Sequence, residues 1–439
     1  MASVWKATAE RRSFPALERD AQTDVLIIGG GMAGVLTAYM LERAGVSTLL
    51  CEAEEIGGGI TQNTTAKITV QHGLIYDQLI RRFGQKNAAL YLKANTEALE
   101  TYRALSRSID CDFEQRVNYV YTLFDRRKLD REYCALKALG VPAQRTDVKD
   151  LPFDTAGAIS VPRQAQFHPL RFLFAVANNL HIYTYTRVRE LKRTKTGITA
   201  VTSGGTVHAK RVVVATHFPF LNKHGAYFLK LYQHRSYVLA LEHAQELDGM
   251  YLDDDEKGLS FRNAGDLLLI GGGSHRTGKE GGGYRELYEV ADLHFHSAAV
   301  RYAWAAQDCM TLDAMPYIGR YSPGTDGLYV ATGFNKWGMT GSMVAAKLLC
   351  DLITGRQSPY AELFSPARSI LRPALFLNAA EAVRGLLTPS APRCPHLGCA
   401  LHWNDAEQTW DCPCHGSRFA ADGTLIDNPA TGDIKRIKK

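Results

Sequence analysis

The chain has 439 residues, 46% hydrophobic and 22% charged, a composition that builds sizeable cores and excludes disordered and fibrous classes. Its 51 basic and 45 acidic residues leave a net charge of +6 with no long basic run, which argues against a nucleic-acid partner. No stretch reaches about 18 uncharged apolar residues, and the opening MASVWKATAERRSFPALERD lacks a signal-peptide core, so no integral membrane segment and a cytoplasmic location are expected.

The first organised segment is DVLIIGGGMAGVLTAYMLERAGVSTLLCE, residues 24–52. It reads as an apolar strand, a helix closed by Gly45 and a second strand, together one βαβ unit. Gly29, Gly31 and Gly34 form G-x-G-x-x-G at the strand-to-helix turn. There the first glycine permits the turn, the second admits a pyrophosphate, and the third lets the helix approach the strand. Glu52 follows where a carboxylate accepts from a ribose hydroxyl. The order of these parts points to a dinucleotide, without separating FAD from NAD.

Next comes IGGGITQNTTAKITVQHG, whose Thr64, Thr65 and Lys67 are suited to bind a large cofactor. Strands with glycine turns are expected over 184–220, and GLYVATGFNKWGMTGSMVAAKLL (327–349) reads as strand, glycine-rich turn and helix. A helix N-terminus with Lys336 beside it stabilises negative charge on the N1–C2=O edge of a reduced flavin.

These segments, over roughly residues 20–365, resemble the D-amino-acid oxidase and glycine oxidase family of FAD-dependent oxidoreductases. The resemblance implies an α/β fold: a FAD-binding Rossmann-type domain with an inserted antiparallel-sheet substrate domain. It places Gly29, Gly31, Gly34 and Glu52 on the ADP half, the Val188 backbone at the adenine, and Gly333, Lys336, Trp337, Gly338, Met339 and Thr340 at the flavin. The expected oxidoreductase domain covers 1–367. Its flavin-binding segments are 22–105, 161–235 and 310–367, and its substrate domain is 106–160 and 236–309. Lys336, Trp337 and His275 are the catalytic candidates. Further substrate-domain candidates are His168, Tyr237 and Arg276, with His217 beside the flavin strand and His72 as a conceivable attachment point for FAD.

Residues 368–392 are expected to form a helical linker that docks between domains, a membrane-surface helix being the lesser reading. The last segment, RCPHLGCALHWNDAEQTWDCPCHGSRF, holds Cys394-x-His396 and Cys412-x-x-His415. Two thiolates and two imidazoles are the ligand set of a Rieske [2Fe–2S] cluster, and soft sulfur suits zinc as well. Unequal spacings, a glycine-bearing loop after each pair, and an additional cysteine beside each pair argue against a zinc ribbon. CPHLGC and CPCHGS resemble the cluster loops of the bc1 and b6f type Rieske proteins, which implies a Cys399–Cys414 disulfide. The expected domain, 393–439, is small and all-β. It lacks the strands that usually precede the first cluster loop and must lean on its neighbour for burial. Phe419 stands where the high-potential relatives carry tyrosine, while Ser417 is kept. The cluster potential is therefore expected within roughly −150 to +300 mV but below the top of that range.

The expected function is oxidation of the C–N bond of a small amine or N-substituted amino acid. Electrons would pass singly from FAD through the cluster to an external one-electron carrier protein or quinone. The alternatives are a reductase run from a reduced carrier and a non-catalytic electron-transfer or redox-sensing module.

Overall fold

A computed structural model describes residues 2–221, 224–281, 283–389 and 392–435. Ser390 and Ala391 of the expected linker, and residues 436–439 of the expected C-terminal domain, lie outside the described residues.

Continuous apolar runs bury on both faces of a parallel sheet, and Val25, Leu26, Ile27 and Ile28 do so almost completely. Their strand, Ala21–Ile28, pairs in parallel with Thr48–Cys51 on one side and Thr206–Val214 on the other. Leu328–Thr332 and Ile182–Tyr183 extend the layer in parallel, and Tyr317–Arg320 and the Glu190–Arg193 and Ile198–Val201 hairpin complete eight strands. Helices Met32–Arg43 and Gly338–Thr354 pack on each other over this sheet. Gly34 makes the approach possible, because a Cβ there would stand 1.9 Å from the Gly29 carbonyl oxygen.

A second sheet of nine strands is mostly antiparallel. Its long strands Leu231–Glu242 and Ala299–Thr311 pair directly and set His234 opposite Asp308 and Arg235 opposite Gln307. Lys67–Ile68, from the glycine-rich loop, joins the far edge and ties the two layers together. Gly157–Gln166, Leu231–Glu242 and Ala299–Thr311 each run through an expected segment border as unbroken strands.

The C-terminal segment folds into four antiparallel strands in chain order, His402–Asn404, Thr409–Asp411, Arg418–Ala420 and Leu425–Asp427. Among the described residues no strand lies between Thr332 and the Arg393–Ala400 bridge. The place is taken by helix Pro373–Leu387, which buries only Asn378 and Gly385 and leaves Phe376, Leu377 and Leu387 exposed. The Asn378 amide donates to the Leu229 and Leu231 carbonyls, and Gly385 backs onto the Cys414 sulfur.

Candidate active site and metal centre

The turn after Ala21–Ile28 carries Gly29 in the left-handed region at φ 111°, and a Cβ there would come within 2.5 Å of the Ala215 carbonyl oxygen. Gly31 offers helix Met32–Arg43 no side-chain cap, and Met32 N donates to Thr61 Oγ1 at 3.1 Å; Gly31, Met32 and Ala33 line the adjoining cavity, so the helix N-terminus faces it as an anion cradle. Glu52 accepts from Gly30 N (2.6 Å) and Glu54 N (2.9 Å), and burial raises its carboxyl despite those bonds. Each oxygen keeps a lone pair for a hydroxyl. Val188 closes this end of the cavity.

Further along, Thr64 and Thr65 line the wall. Their carbonyls are pinned from behind by Trp5 Nε1 (2.7 Å) and Arg262 (2.9 Å). Lys67 donates to the Tyr251 carbonyl at 2.7 Å, and burial pulls its amine down to about 7, with Arg262 adding to the shift.

Opposite, Gly333, Asn335 and Lys336 all adopt left-handed backbone (φ 71°, 51° and 71°), an uncommon concentration that local bonds must hold in place. Asn335 Oδ1 does so by accepting from Thr311 N. The turn delivers Lys336, Trp337, Gly338 and Met339 to the cavity. Lys336 Nζ donates to Ser274 Oγ at 2.5 Å. Trp337 stacks on His72 at 4.5 Å between ring centroids. His72 is engaged at both nitrogens, Nδ1 with the Tyr91 hydroxyl and Nε2 with the Thr69 carbonyl. Burial depresses it to about 3, which keeps the ring neutral.

The cavity measures about 1740 Å³, well beyond the roughly 300–1,000 Å³ of a drug-sized pocket. Its remaining wall mixes apolar side chains such as Val238, Trp304 and Met310 with charged ones. Asp308 faces it with a carboxylate that makes no hydrogen bond among the described residues, and burial raises that carboxyl while Lys336, His217, His234 and Arg235 oppose the shift. Glu407 and Arg418 reach the same cavity from the C-terminal sheet, and Arg235 pairs with Glu407 across the boundary.

In the cysteine-rich loops the pattern repeats. Gly398 N donates to the Cys394 carbonyl and Gly416 N to the Cys412 carbonyl, both at 2.9 Å. Cys394 and Cys412 are buried neighbours, and the His396 and His415 rings stand 4.9 Å apart at 89°. Cys399 and Cys414 form a disulfide that ties the loops, so their sulfurs, although within 4.8 Å of the Cys412 sulfur, are not ligands. His415 Nε2 donates to the Phe228 carbonyl at 3.0 Å, while its buried Nδ1 has no hydrogen-bond partner among the described residues. A ring with one nitrogen anchored on a carbonyl and the other orphaned is arranged for metal.

Two sulfurs and two imidazoles fit iron or zinc, and comparison with known proteins decides between them. Residues 24–352 match the family model described as FAD dependent oxidoreductase, and residues 376–438 match the Rieske [2Fe-2S] domain. The chain belongs to the FAD-dependent oxidoreductases and carries a C-terminal Rieske domain. It is 36% identical to the putative Rieske 2Fe-2S iron-sulfur protein YhfW of Bacillus subtilis, over 99% of this chain and 97% of that protein. It is 24% identical to the γ-glutamylputrescine oxidoreductase of Escherichia coli, over 80% and 89% of the two chains. The fold resembles that of glycine oxidase from Geobacillus kaustophilus, with a TM-score of 0.67, 20% identity, and coverage of 80% of this chain and 100% of that one.

The flavin domain binds FAD and the Rieske domain a [2Fe–2S] cluster. The helix N-terminus facing the cavity, the Glu52 carboxylate and the size of the cavity fit the first; the orphaned His415 Nδ1 fits the second. Of the residues expected at FAD, Gly34, Gly333 and Thr340 stand behind the wall: Gly34 packs helix on strand, Gly333 shapes the turn, and Thr340 Oγ1 bonds His72. The expectation for His275 is corrected. Its ring is stacked on Tyr237, with Nδ1 against the Gly273 carbonyl, and it does not reach the cavity. Arg276 donates to the Pro413 and Cys414 carbonyls and so holds the Rieske domain rather than substrate. His168 caps helix Pro169–Ala177 through Arg171 N, and neither ring nitrogen of His72 is free for attachment. Tyr237 and His217 do line the cavity. Sequence reading missed Gln233, Arg235, Asp308 and Glu407. Its available signal was the polar run Gln233-His234-Arg235 inside an otherwise apolar strand.

Proposed function

We propose that the protein oxidises the C–N bond of a small amine or N-substituted amino acid and passes the electrons through the Rieske domain to an external one-electron carrier protein or quinone. The carrying observation is that one cavity is walled by both domains, with the dinucleotide cradle at one end and Glu407, Arg418 and Asn428 of the Rieske domain at another. When bound, FAD supplies a two-electron acceptor and the cluster a one-electron outlet.

The chain's own residues fit an amine. Asp308 offers a carboxylate without a hydrogen bond among the described residues, which an ammonium group satisfies. Lys336, held on Ser274, places positive charge at the N-terminus of helix Gly338–Thr354. Burial keeps His217 neutral, which leaves a basic nitrogen able to receive a proton. Glu407, Arg418 and Asn428 of the Rieske domain form part of the cavity wall. The Escherichia coli relative is named for γ-glutamylputrescine, whose putrescine end carries a primary amine, which supports the amine reading.

The test is anaerobic mixing of the holoprotein with a panel of primary amines, N-alkyl amines and N-alkyl amino acids. Bleaching of the flavin followed by a rhombic [2Fe–2S] EPR signal is expected with at least one of them. A panel that leaves the flavin oxidised, with glycerol 3-phosphate or another alcohol bleaching it instead, would overturn the reading.

A further inference from the structure

We propose that the Gln233 side chain is the link through which electrons cross from the flavin cavity to the cluster, with His217 as the entry and the His415 backbone as the exit. The proposal rests on the reading that the two centres exchange electrons. Gln233 Oε1 lies 3.1 Å from His217 Nε2, and Gln233 Nε2 donates to the His415 carbonyl at 2.8 Å and to the Asn428 carbonyl at 3.2 Å. Two carbonyl acceptors fix which end of the amide is nitrogen, and Oε1 must then accept. His217 therefore carries its proton on Nε2, as a neutral ring with one donor does.

His217 is held for this contact. Its backbone is left-handed at φ 65°, a strained setting for a residue with a Cβ, and the Thr332 hydroxyl donates to its carbonyl. His217 lines the cavity, whereas Gln233 is 1% exposed and packed on the Rieske loop, where a Cβ on Gly416 would stand 2.6 Å from its own Cβ. Two other contacts from the flavin domain to the cluster loops lack the cavity end. Gln307 Nε2 bonds the Gly416 carbonyl at 2.9 Å but does not line the cavity. Phe218 touches both histidine rings, at 6.5 and 6.2 Å between centroids, and is likewise off the cavity wall.

In the step, reduced flavin loses one electron and the oxidised cluster gains it, and no bond forms or breaks along the relay. A second electron follows after an external one-electron carrier has reoxidised the cluster. The amide of Gln233 does not ionise, so the relay moves no net proton.

Gln233→Met keeps the shape and removes every hydrogen bond. Gln307→Met removes a bond of the same kind to the same loop and is the matched structural control. The flavin of each holoprotein is reduced by a light pulse with EDTA, which needs no amine, and growth of the reduced-cluster EPR signal is followed by freeze-quench. Gln233→Met is expected to slow that phase by about tenfold or more and Gln307→Met by less than about twofold, each with native g values and cluster midpoint potential. Equal slowing in both, no slowing in Gln233→Met, or a native cluster phase in His217→Phe would overturn the relay. A native chain whose photoreduced flavin never feeds the cluster would overturn the relay together with the reading beneath it. Amines that fail to bleach a flavin that does feed the cluster would overturn the substrate reading alone.

Discussion

Arg235 of the flavin domain and Glu407 of the Rieske domain form a buried ion pair across the domain boundary, with side chains 4% and 15% exposed. Arg235 Nε donates to Glu407 Oε2 at 3.0 Å, and Glu407 also meets Arg418 at 3.0 Å. The two ends are not equivalent. Glu407→Leu strands the Arg235 guanidinium, because Arg418 retains Asp411 and Asp427 while Arg235 has no other carboxylate within ion-pair distance among the described residues. A stranded buried charge costs roughly 3–5 kcal/mol. Arg235→Met leaves Glu407 paired with Arg418 and costs less. Urea unfolding of both variants and the double variant measures the order, and equal losses would contradict it.

The cluster potential follows from two residues of the Rieske core. Phe419 is fully buried among Cys394, Cys412, Leu401 and Ala430, and Ser417 Oγ accepts from Ala430 N at 3.0 Å beside Cys394. A hydroxyl that donates to cluster sulfur favours the more negative, reduced state and raises the potential. Such a bond is worth roughly 1.5–3 kcal/mol, or about 65–130 mV for one electron. Phe419→Tyr is therefore expected to raise the midpoint by up to that amount, and Ser417→Ala to lower it. An EPR-monitored redox titration reads both shifts.

What the sequence made legible was local. The turn at 29–34 with Glu52, and the Cys-x-His and Cys-x-x-His pairs, each declare themselves within a short span because one turn or loop must satisfy all their requirements. The cavity wall was not legible, since Arg235, Asp308 and Glu407 lie on separate strands and loops and meet only through sheet register and domain docking. His275 and Arg276 misled for a related reason. Their strand end looks open in the sequence, but the Rieske loop occupies it: a Cβ on Gly278 would stand 2.5 Å from Pro413 N.

Asp308 tests the substrate reading at a single residue. Its carboxyl is raised by burial, with Lys336 the largest opposing charge, and it holds no hydrogen bond among the described residues. A protonated amine bound there gains a charge-assisted bond of roughly 1.5–3 kcal/mol, about tenfold to hundredfold in affinity. Asp308→Asn is expected to raise KM for cationic amines by that factor and to lower kcat less. Flavin bleaching against amine concentration separates the two, and an unchanged KM would remove Asp308 from substrate binding.

Stability should carry a pH signature from Glu132. Helix Ile75–Leu105 begins without a capping side chain of its own, and Glu132 of helix Arg126–Ala138 caps it instead, accepting from Tyr76 N at 3.0 Å and Asp77 N at 2.8 Å. Burial raises its carboxyl to about 7, and those N–H groups offset the rise only in part. In the unfolded chain the group titrates near 4.3, so the folded state binds the proton more tightly. Its contribution is therefore present in full below that value and is lost as pH rises through about 7. The loss is on the order of 3 kcal/mol. Glu132→Gln cannot ionise, and its amide oxygen still accepts one of the two N–H groups. Urea midpoints of the native chain should fall from pH 4.5 to 7.5 relative to those of Glu132→Gln, and parallel profiles would mean that Glu132 ionises freely in the fold.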